Sequence, residues 1–310
     1  MKLHNLGTRI KSGMRKLVDL PRAIAQNAYI NENILNMTHE LLRTISQLRT
    51  LETSNEIFRI LSDSRYQNPL RLEPYGHKCY SQHDEDGMIQ EIFRRIGIKN
   101  HVFVEFGVGD GLENNSLFLL KQGWTGLWIE GSPENAEKIK TNFADSIKNG
   151  KLRFIESFIT RENINNLIGS EVKGEIDMLS IDIDGNDYYV WEAIDVISPR
   201  LLVIEYNAKF LPPVKWSINY DPNHKWDFSD YQGASLAAMN ELSIKKGYRL
   251  VGCNLNGTNA FFVRNDLTGD KFLQSDDIME YYHPPRYYLF EGYLLMAGHR
   301  PDARCGRTWL

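Results

Sequence analysis

The sequence predicts an α/β protein in which a long N-terminal helix precedes a mostly parallel β-sheet covered by helices on both faces. Short β-rich runs alternate with helical segments from about residue 84 onward, and this alternation is typical of parallel sheets. The last two β-rich runs are joined by a turn too short for a parallel crossover, so we expect the sheet to end in an antiparallel strand. Neither Gly nor Pro occurs between Pro21 and Pro69, which indicates a continuous helix.

The composition excludes several classes of protein. The 310-residue chain is 42% hydrophobic and 25% charged, with a formal net charge of −4. This hydrophobic fraction is too high for a disordered chain, and no apolar stretch reaches the roughly 18–20 residues of a membrane span. The near-neutral charge argues against a nucleic-acid partner. Three dispersed cysteines argue against a disulfide framework or a zinc site, and the lack of a signal peptide predicts a cytoplasmic protein.

Residues 1–66 are predicted to form a separate helical segment for oligomerisation or anchoring. An apolar stripe recurs along it at spacings of three and four, made of Ile34, Met37, Leu41, Ile45, Leu48 and Leu51. A long helix with so narrow a stripe needs a partner, either the body of its own chain or another copy. We predict a homo-oligomer formed through residues 23–64 as a coiled coil or helical bundle. Thr44 and Asn55 interrupt the heptad, so the number of copies stays open.

The first 22 residues carry six basic side chains and one acid, Asp19, with apolar residues among them. This pattern suits an amphipathic helix that lies on an anionic membrane. Gly7 and Gly13 weaken a helix at this position, and the alternative is a solvated terminus. Residues 1–22 are therefore a candidate peripheral contact with the inner face of the membrane.

Residues 67–310 are predicted to form one domain built on seven strands. Five parallel strands are expected at 101–106, 126–131, 152–157, 176–182 and 200–206, with helices at 114–122, 133–145, 161–168 and 187–195 between them. A helix at 234–246 and the hairpin strands at 247–252 and 259–264 follow. Ser132 suits the N-cap of the helix at 133–145, and Pro133 suits its first position. The aromatic tail at 266–310 is expected to pack over the sheet.

A glycine loop follows the first strand and precedes a helix, where a backbone turns tightly around a ligand. Its glycines stand at 107, 109 and 111, and Glu105 precedes them. A dinucleotide-binding loop would need its third glycine at 112, which is Leu. Glu105 would also repel a pyrophosphate, whereas it can support the loop or pair with the cationic amino-acid portion of a ligand. The spacing is the E/D-x-G-x-G-x-G pattern of S-adenosylmethionine-dependent methyltransferases.

Further acids follow the next two strands. Glu130 ends the second strand, about 20 residues after the loop, where a carboxylate can accept both hydroxyls of a ribose. Glu156 and Ser157 end the third strand and are placed to meet an adenine edge. These positions favour a nucleoside ligand over a purely structural turn.

Three carboxylates, those of Asp182, Asp184 and Asp187, crowd the carboxyl end of the fourth strand. Ligands bind at this edge of open α/β sheets, and carboxylates this close repel one another unless a cation or a proton compensates. One interpretation is a divalent metal such as Mg held by Asp182, Asp184 and Glu205, which ends the fifth strand. The other is that Asp184 and Asp187 cap the next helix while the acids hydrogen-bond cofactor or substrate.

The long loop at 207–231 is rich in aromatic and polar residues, and a loop of this length is usually functional. Its flat side chains suit a carbohydrate or another polyhydroxyl acceptor, and they are Trp216, Tyr220, Trp226 and Tyr231. His224 is a candidate general base, with Asp182 or Asp184 as the alternative. His83, in the acid-rich turn at 81–87, is a further candidate.

These motifs together resemble the FkbM-like group of class I S-adenosylmethionine-dependent methyltransferases. The resemblance covers about residues 78–265 and rests on 81–89, 104–111, 126–135, 179–194, 203–208, 231–242 and 247–264. It implies a Rossmann-like sheet of seven strands with an antiparallel last strand. It also implies S-adenosylmethionine as methyl donor and O-methylation of a sugar, often in surface-polysaccharide or natural-product pathways.

The resemblance also implies roles for individual residues. The methionine end of the cofactor would be held by Glu105, Gly107, Gly109 and Gly111, the ribose by Glu130 and the adenine near Glu156, while Asp182 would face the methyl-transfer region. Asp184 stands where the family usually has Glu, and the motif is similar to the acidic motif of metal-dependent sugar O-methyltransferases. The alternatives are a nicotinamide-dependent oxidoreductase and a non-catalytic scaffold that keeps the fold.

Overall fold

The computed structural model describes residues 2–289 and residue 304, and for residues 2–25 it describes the backbone alone. The chain divides into two compact units, Met1–Phe58 and Arg59–Leu310. The side chains of the basic segment at 1–22, and the tail at 290–303 and 305–310, lie outside the described residues. None of the described helices combines the length and the hydropathy of a membrane-spanning segment.

The first unit is helical, as the sequence predicts. Helix α1 spans Lys2–Leu61 without interruption. Its large apolar side chains between Tyr29 and Leu51 are exposed. The helix ends before a 3₁₀ turn at Ser64–Gln67, whose N-cap Asp63 accepts a hydrogen bond from the Arg65 amide.

The second unit is built on one seven-stranded sheet. Its strands are β1 (Val102–Phe106), β2 (Thr125–Glu130), β3 (Leu152–Glu156), β4 (Gly174–Ile181), β5 (Ile197–Glu205), β6 (Tyr248–Cys253) and β7 (Asn259–Arg264). Their order is β3-β2-β1-β4-β5-β7-β6. The first five strands pair in parallel, and β7 is antiparallel to both β5 and β6. The predicted fold class is therefore confirmed: this is the Rossmann-like methyltransferase sheet with its antiparallel last strand.

Eight helices of the second unit complete the described fold. They are α2 (Glu85–Ile96), α3 (Leu117–Lys121), α4 (Pro133–Asn142), α5 (Ala144–Lys148), α6 (Ile164–Gly169), α7 (Asp187–Ala193), α8 (Leu236–Lys246) and α9 (Asn265–Thr268). The strands other than the edge strand β3 are buried almost throughout because helices cover both faces. Trp191 and Phe262 lie in the core on one face of the sheet, and Phe103 and Trp128 lie in the core on the other.

The helix predicted at 133–145 is two helices, which corrects the sequence analysis. Ser132 caps the start of α4 as predicted, since its hydroxyl accepts from the Asn135 amide. The helix ends at Asn142, because Phe143 leaves helical geometry (φ −115°, ψ 18°) and buries its ring against Trp128, with 4.8 Å between the ring centroids.

The C-terminal region packs against the domain as far as it is described. Tyr281, Tyr282 and His283 are buried. The Tyr282 hydroxyl donates to the Ala208 carbonyl, and the Tyr206 hydroxyl donates to the His283 carbonyl at 2.9 Å. These bonds fix the segment after β5, where the long loop at 207–231 begins.

Ser235 joins that loop to α8, and its removal gives a first prediction. Its hydroxyl accepts from the Trp216 amide at 3.0 Å and from the Ala238 amide at 3.2 Å, and its side chain is fully buried. Replacing Ser235 by Ala leaves two amides without an acceptor, so we expect the free energy of unfolding to fall by about 1–2 kcal/mol. Urea denaturation measures this change.

The matched control is Ser170→Ala on the exposed end of α6, where the hydroxyl only donates to the Leu167 carbonyl. We expect this variant to change the free energy of unfolding by less than about 0.5 kcal/mol. Equal losses in the two variants would show that the Ser235 cap adds nothing.

Candidate functional site

A cavity of about 600 Å³ opens at the carboxyl ends of the central parallel strands. Ligands bind at this edge in open α/β sheets. Its walls come from the glycine loop, from the segments after β2, β3 and β4, and from the loop at 207–231. Its lining residues include Gly107, Gly109, Glu130, Ser157, Phe158, Asp182, Asp184, His224, Lys225, Trp226 and Phe228.

The glycine loop needs its glycines for three different reasons. All three have left-handed backbone conformations, with φ of +69° at Gly107, +57° at Gly109 and +83° at Gly111. A Cβ on Gly107 would lie 1.6 Å from the Asp182 carbonyl oxygen, and one on Gly111 would lie 2.7 Å from the Phe143 ring. A Cβ on Gly109 would meet nothing within 4 Å. Gly107 thus allows close contact between the segments that follow β1 and β4. Gly111 packs on the core, and Gly109 leaves space for a ligand.

Glu105 supports the loop and does not line the cavity. Its buried carboxylate accepts from the Asn115 amide at 2.8 Å and from the amide and hydroxyl of Ser116, at 2.9 Å for the amide. Burial raises the pKa of Glu105 to about 7 despite these bonds. Of the two roles that the sequence left open, the observed bonds favour support of the turn into α3 over contact with a ligand.

Glu130 lies between the glycine loop and α4. One carboxylate oxygen accepts from the Gly109 amide at 3.0 Å, and the other accepts from the Ser132 amide at 2.7 Å. Burial raises the pKa of Glu130 above its ordinary value. Each oxygen keeps a further lone pair, and the side chain lines the cavity, so the carboxylate is oriented and still able to accept from a diol.

The segment after β3 contributes one of its two predicted residues, Ser157, and one that was not predicted, Phe158. Ser157 lines the cavity together with Phe158, whose ring is 44% exposed. Glu156 does not line it: its carboxylate pairs with the Lys140 ammonium at 2.7 Å on the surface. Phe158 was missed by sequence reasoning, although an aromatic residue directly after a strand end was visible.

The three aspartates after β4 have different environments. Asp187 is buried and accepts from the amides of Ile183 at 2.9 Å and Gly185 at 2.8 Å, so it caps the turn before α7. Asp182 is half-buried in the cavity. Asp184 adopts a left-handed conformation (φ +54°) that places it at the exposed surface of the cavity. Capping therefore falls to Asp187, whereas Asp184 makes no cap.

Glu205 completes an acidic cluster with two of these aspartates. One carboxylate oxygen from each of Asp182, Asp184 and Glu205 lies within 4.8 Å of the other two. Glu205 is only 9% exposed, and its Oε1 accepts weakly from the Gln232 amide at 3.4 Å. Its Oε2 has no hydrogen-bond partner among the described residues, and neither has Gln232 Oε1. Buried acceptors without donors fit a cation or added protons at this point.

Mutual repulsion changes the proton affinity of the cluster. Burial, followed by the charges of Asp184 and Asp187, raises the pKa of Asp182 well above its ordinary value. Desolvation, with the charges of Asp187 and Glu130, raises the pKa of Asp184 to about 6. Groups that change protonation near neutral pH suit proton transfer, and the same repulsion favours a cation.

His224 lies directly above the acidic turn. A Cβ on Gly185 would be 2.2 Å from His224 Cδ2 and 2.7 Å from Nε2, so the glycine admits the imidazole. The buried Nε2 has no hydrogen-bond partner among the described residues, and the ring lines the cavity. The structure thus places the three predicted catalytic candidates, His224, Asp182 and Asp184, in the same cavity. His83 is fully buried and does not line this cavity.

The predicted aromatic acceptor surface is mostly absent from the cavity. Trp226 lines it, but Trp216 stacks on Phe210 at 4.0 Å between ring centroids. Tyr220 donates to Glu162, and the Arg161 guanidinium lies 4.2 Å from its ring. The centroid of the Tyr231 ring lies 6.0 Å from that of Trp216 and 6.2 Å from that of His224, but Tyr231 does not itself line the cavity.

Two neighbours of Trp226 line the cavity with it, in place of the other three predicted aromatic residues. Phe228, 74% exposed and in a left-handed conformation (φ +62°), lines the cavity together with Lys225. A bulky residue with positive φ is uncommon. No pattern in the sequence distinguishes these two from the other residues of the loop.

Comparisons with known proteins give fold likenesses only. No family model matches the chain, and no curated protein matches it. Among solved structures, it is similar to monomeric WbdD at 17% identity, over 57% of this chain and 39% of that chain (TM-score 0.36). It is similar to a putative caffeoyl-CoA O-methyltransferase from Staphylococcus aureus at 16% identity, over 57% and 81% (TM-score 0.40).

It is also similar to an O-methyltransferase from Bacillus cereus in complex with SAH at 14% identity, over 68% of this chain and 89% of that chain (TM-score 0.39). The matched region thus spans less than half of WbdD. Identities and TM-scores this low assign no function to the chain.

Proposed function

We propose that this protein is an S-adenosylmethionine-dependent O-methyltransferase of the FkbM-like group, acting on a hydroxyl of a sugar or related polyhydroxyl acceptor. The observation that carries the proposal is the single cavity that joins the glycine loop and Glu130 to Asp182, Asp184 and His224. The side formed by the glycine loop and Glu130 would hold a nucleoside with an amino-acid tail. The side formed by Asp182, Asp184 and His224 carries groups that can accept a proton.

In the cofactor half of the cavity, different lining residues would contact different parts of S-adenosylmethionine. Glu130 would accept the ribose hydroxyls, Ser157 and Phe158 would contact the adenine, and the loop at Gly107 and Gly109 would approach the methionine portion. When bound, S-adenosylmethionine supplies a methyl group on a sulfonium. The protein's task is then to align the acceptor oxygen with that methyl group and to exclude water.

The same residues argue against a nicotinamide cofactor. The Gly109 amide, which would donate to a pyrophosphate at the loop, already donates to Glu130. A carboxylate at this place repels a phosphate group. Gly111 packs on Phe143, and position 112 is Leu.

The acceptor half holds the base. The acceptor hydroxyl loses its proton as its oxygen takes the methyl group, so a base within hydrogen-bond reach accelerates the step. His224 Nε2, without a partner and next to the acidic turn, would take this proton. Trp226 and Phe228 would provide the apolar contact for a sugar ring, with Lys225 beside them.

A divalent metal such as Mg would be held by Asp182, Asp184 and Glu205, with Gln232 supporting Glu205. A bound divalent metal lowers the pKa of an acceptor hydroxyl. We expect Gln232→Leu to weaken Mn²⁺ binding by about tenfold, because it removes the amide that donates to Glu205. Calorimetric titration with Mn²⁺ measures the change. The control is Gln274→Leu, whose amide donates to the distant Gly269 carbonyl; wild-type protein that binds no Mn²⁺ would exclude the metal.

The test of the whole proposal is a labelled-methyl transfer assay against sugar nucleotides and glycan extracts, with and without EDTA. Transfer to a glycan fraction supports the proposal, and loss of this transfer in EDTA would show that a metal is required. Folded protein that binds no S-adenosylhomocysteine in a calorimetric titration would reject it, leaving the non-catalytic scaffold.

We also propose that the chain is a cytoplasmic homo-oligomer assembled through residues 23–64, with the basic residues of 1–22 contacting the inner face of the membrane. Liposome sedimentation of the full chain against a chain that starts near residue 23 tests the contact. Equal sedimentation of the two would reject it.

A further inference from the structure

Seven apolar side chains of α1 follow a heptad spacing over residues 30–58, with the polar residues Thr44 and Asn55 at the two remaining positions. Successive positions are separated alternately by four and three residues: Ile30, Ile34, Met37, Leu41, Thr44, Leu48, Leu51, Asn55 and Phe58. In heptad notation, Ile34, Leu41, Leu48 and Asn55 occupy a positions, and the others occupy d positions. A spacing of 3.5 residues is that of helices that wind around each other, whereas a helix packed on a globular domain shows 3.6.

This seam is exposed along its whole length. Its seven apolar side chains are all exposed, among them Met37 (70%), Leu48 (57%) and Leu51 (61%). A single helix gains little stability in water without a partner that covers such a stripe. A partner is therefore required.

We propose that the partner is a second copy of α1, in a parallel, in-register, two-stranded coiled coil over residues 30–58. This deepens the proposed oligomerisation and specifies its order and orientation. The residues of this interface lie outside the cavity, so the coiled coil would form whatever the cavity binds.

The charges of this segment fit another helix better than a membrane. Its charged residues avoid every a and d position, and they are Glu32, Glu40, Arg43, Arg49, Glu52 and Glu56. Four acids against two bases give this stretch a net charge of −2. Helices that lie on anionic membranes carry Lys and Arg on the polar face instead.

The two polar positions of the seam differ in a way that sets the orientation. The Thr44 hydroxyl donates to the Glu40 carbonyl at 2.9 Å within the helix, so its burial leaves no donor without a partner. The Asn55 carboxamide is exposed and has no hydrogen-bond partner in the described part of the chain. In a parallel, in-register pair, a positions face each other, so the two Asn55 amides would bond.

A parallel pair shifted by one heptad would place Asn55 opposite Leu48 at an a position. An antiparallel pair that overlaps over most of residues 30–58 would place it opposite Ile30 or Met37 at a d position. Either arrangement leaves the Asn55 amide without a partner. Such a group costs about 1–3 kcal/mol. A single Asn at an a position is a known way to fix register and copy number in coiled coils. Asn55, which interrupts the hydrophobic repeat, is thus the residue that specifies the pairing.

The first experiment measures the mass of the full chain by light scattering at micromolar concentration. We expect twice the 35.9 kDa chain mass for the wild type and a single chain mass for Leu48→Glu. Ser46→Glu, which adds the same charge at the exposed f position two residues away, should stay a dimer. Leu35, Leu42 and Ile45 flank the seam on one side, where a third helix would dock. A trimeric, tetrameric or monomeric wild type would overturn the proposal.

The second experiment tests orientation by oxidative crosslinking of Asn55→Cys, with Cys79 and Cys305 replaced by Ser. A parallel, in-register pair places the two introduced thiols side by side, so we expect a disulfide-linked dimer. Ser46→Cys in the same background should give none. A dimer whose Asn55→Cys variant does not crosslink contradicts the parallel register.

Calorimetric titration with S-adenosylhomocysteine separates this inference from the proposed function. Leu48→Glu should bind it as the wild type does, since the substitution lies outside the cavity. A wild-type dimer that binds no S-adenosylhomocysteine would remove the proposed function and keep the coiled coil. A monomeric wild type that binds it would do the reverse.

Discussion

Replacing Glu130 by Gln is expected to weaken S-adenosylhomocysteine binding by about 100-fold. The carboxylate accepts from the Gly109 and Ser132 amides and lines the cavity. Gln brings one acceptor oxygen and an amide nitrogen that faces a backbone donor, so it cannot hold both amides and a ribose diol. Two bonds to a charged acceptor contribute about 3 kcal/mol, which corresponds to about 100-fold in affinity. Calorimetric titration measures it.

Glu134→Gln is the matched control for this prediction. Glu134 lies four residues further on, in the first turn of α4, where it pairs with Lys138 and is 80% exposed. The substitution removes the same charge from the same region without touching the cavity, so affinity should not change. Circular dichroism must show that both variants are folded. If Glu130→Gln bound S-adenosylhomocysteine as tightly as the wild type, Glu130 would not be a ribose ligand.

The strand directions and the glycine loop could be predicted because both leave regular patterns in the sequence. Alternating buried strands and helices require parallel crossovers, and the short turn before β7 requires an antiparallel pair. The three loop glycines are needed for backbone conformations that other residues avoid, as their positive φ angles show. Constraints of this kind act on the residue itself and are visible without its neighbours.

Side-chain partners could not be predicted in the same way. Glu105 and Glu156 both follow the spacing of ligand-binding acids, yet one is saturated by Asn115 and Ser116 and the other pairs with Lys140. Trp216 is turned from the cavity by stacking on Phe210. Each outcome depends on a neighbour within the loop or on another element, and periodicity does not record which residues meet.

The acidic turn lies between these two cases. Its position at a strand end predicted that Asp182, Asp184 and Glu205 would meet, and their oxygens lie within 4.8 Å. Which aspartate caps the turn depends on backbone geometry. Asp187 accepts hydrogen bonds from the two turn amides, whereas Asp184, in a left-handed conformation, makes no cap. The sequence thus predicted that these carboxylates meet, but it left the roles of the aspartates open.

Replacing His224 by Asn is expected to lower kcat by about 10²- to 10⁴-fold with the acceptor that the transfer assay identifies, because the variant lacks the base. Affinity for S-adenosylhomocysteine should change little, since the proposed ribose and adenine contacts lie elsewhere. His101→Asn is the control: its ring packs on Trp124, outside the cavity, and Asn tolerates its left-handed conformation (φ +58°). A kcat near the wild-type value in His224→Asn would remove it as the base.

The pH profile separates His224 from Asp184, the other group able to take the proton. The pKa of Asp184 is about 6, so its carboxylate is deprotonated above that pH and cannot accept a proton below it. If Asp184 is the base, kcat rises with pH through about 6, and Asp184→Asn abolishes the rise. If His224 is the base, Asp184→Asn keeps a rise with pH, and His224→Asn loses it. Burial raises the pKa of Asp187, and a positive charge on His224 opposes this rise. The Asp187 carboxylate would therefore stabilise the imidazolium formed in the step, which favours the second outcome.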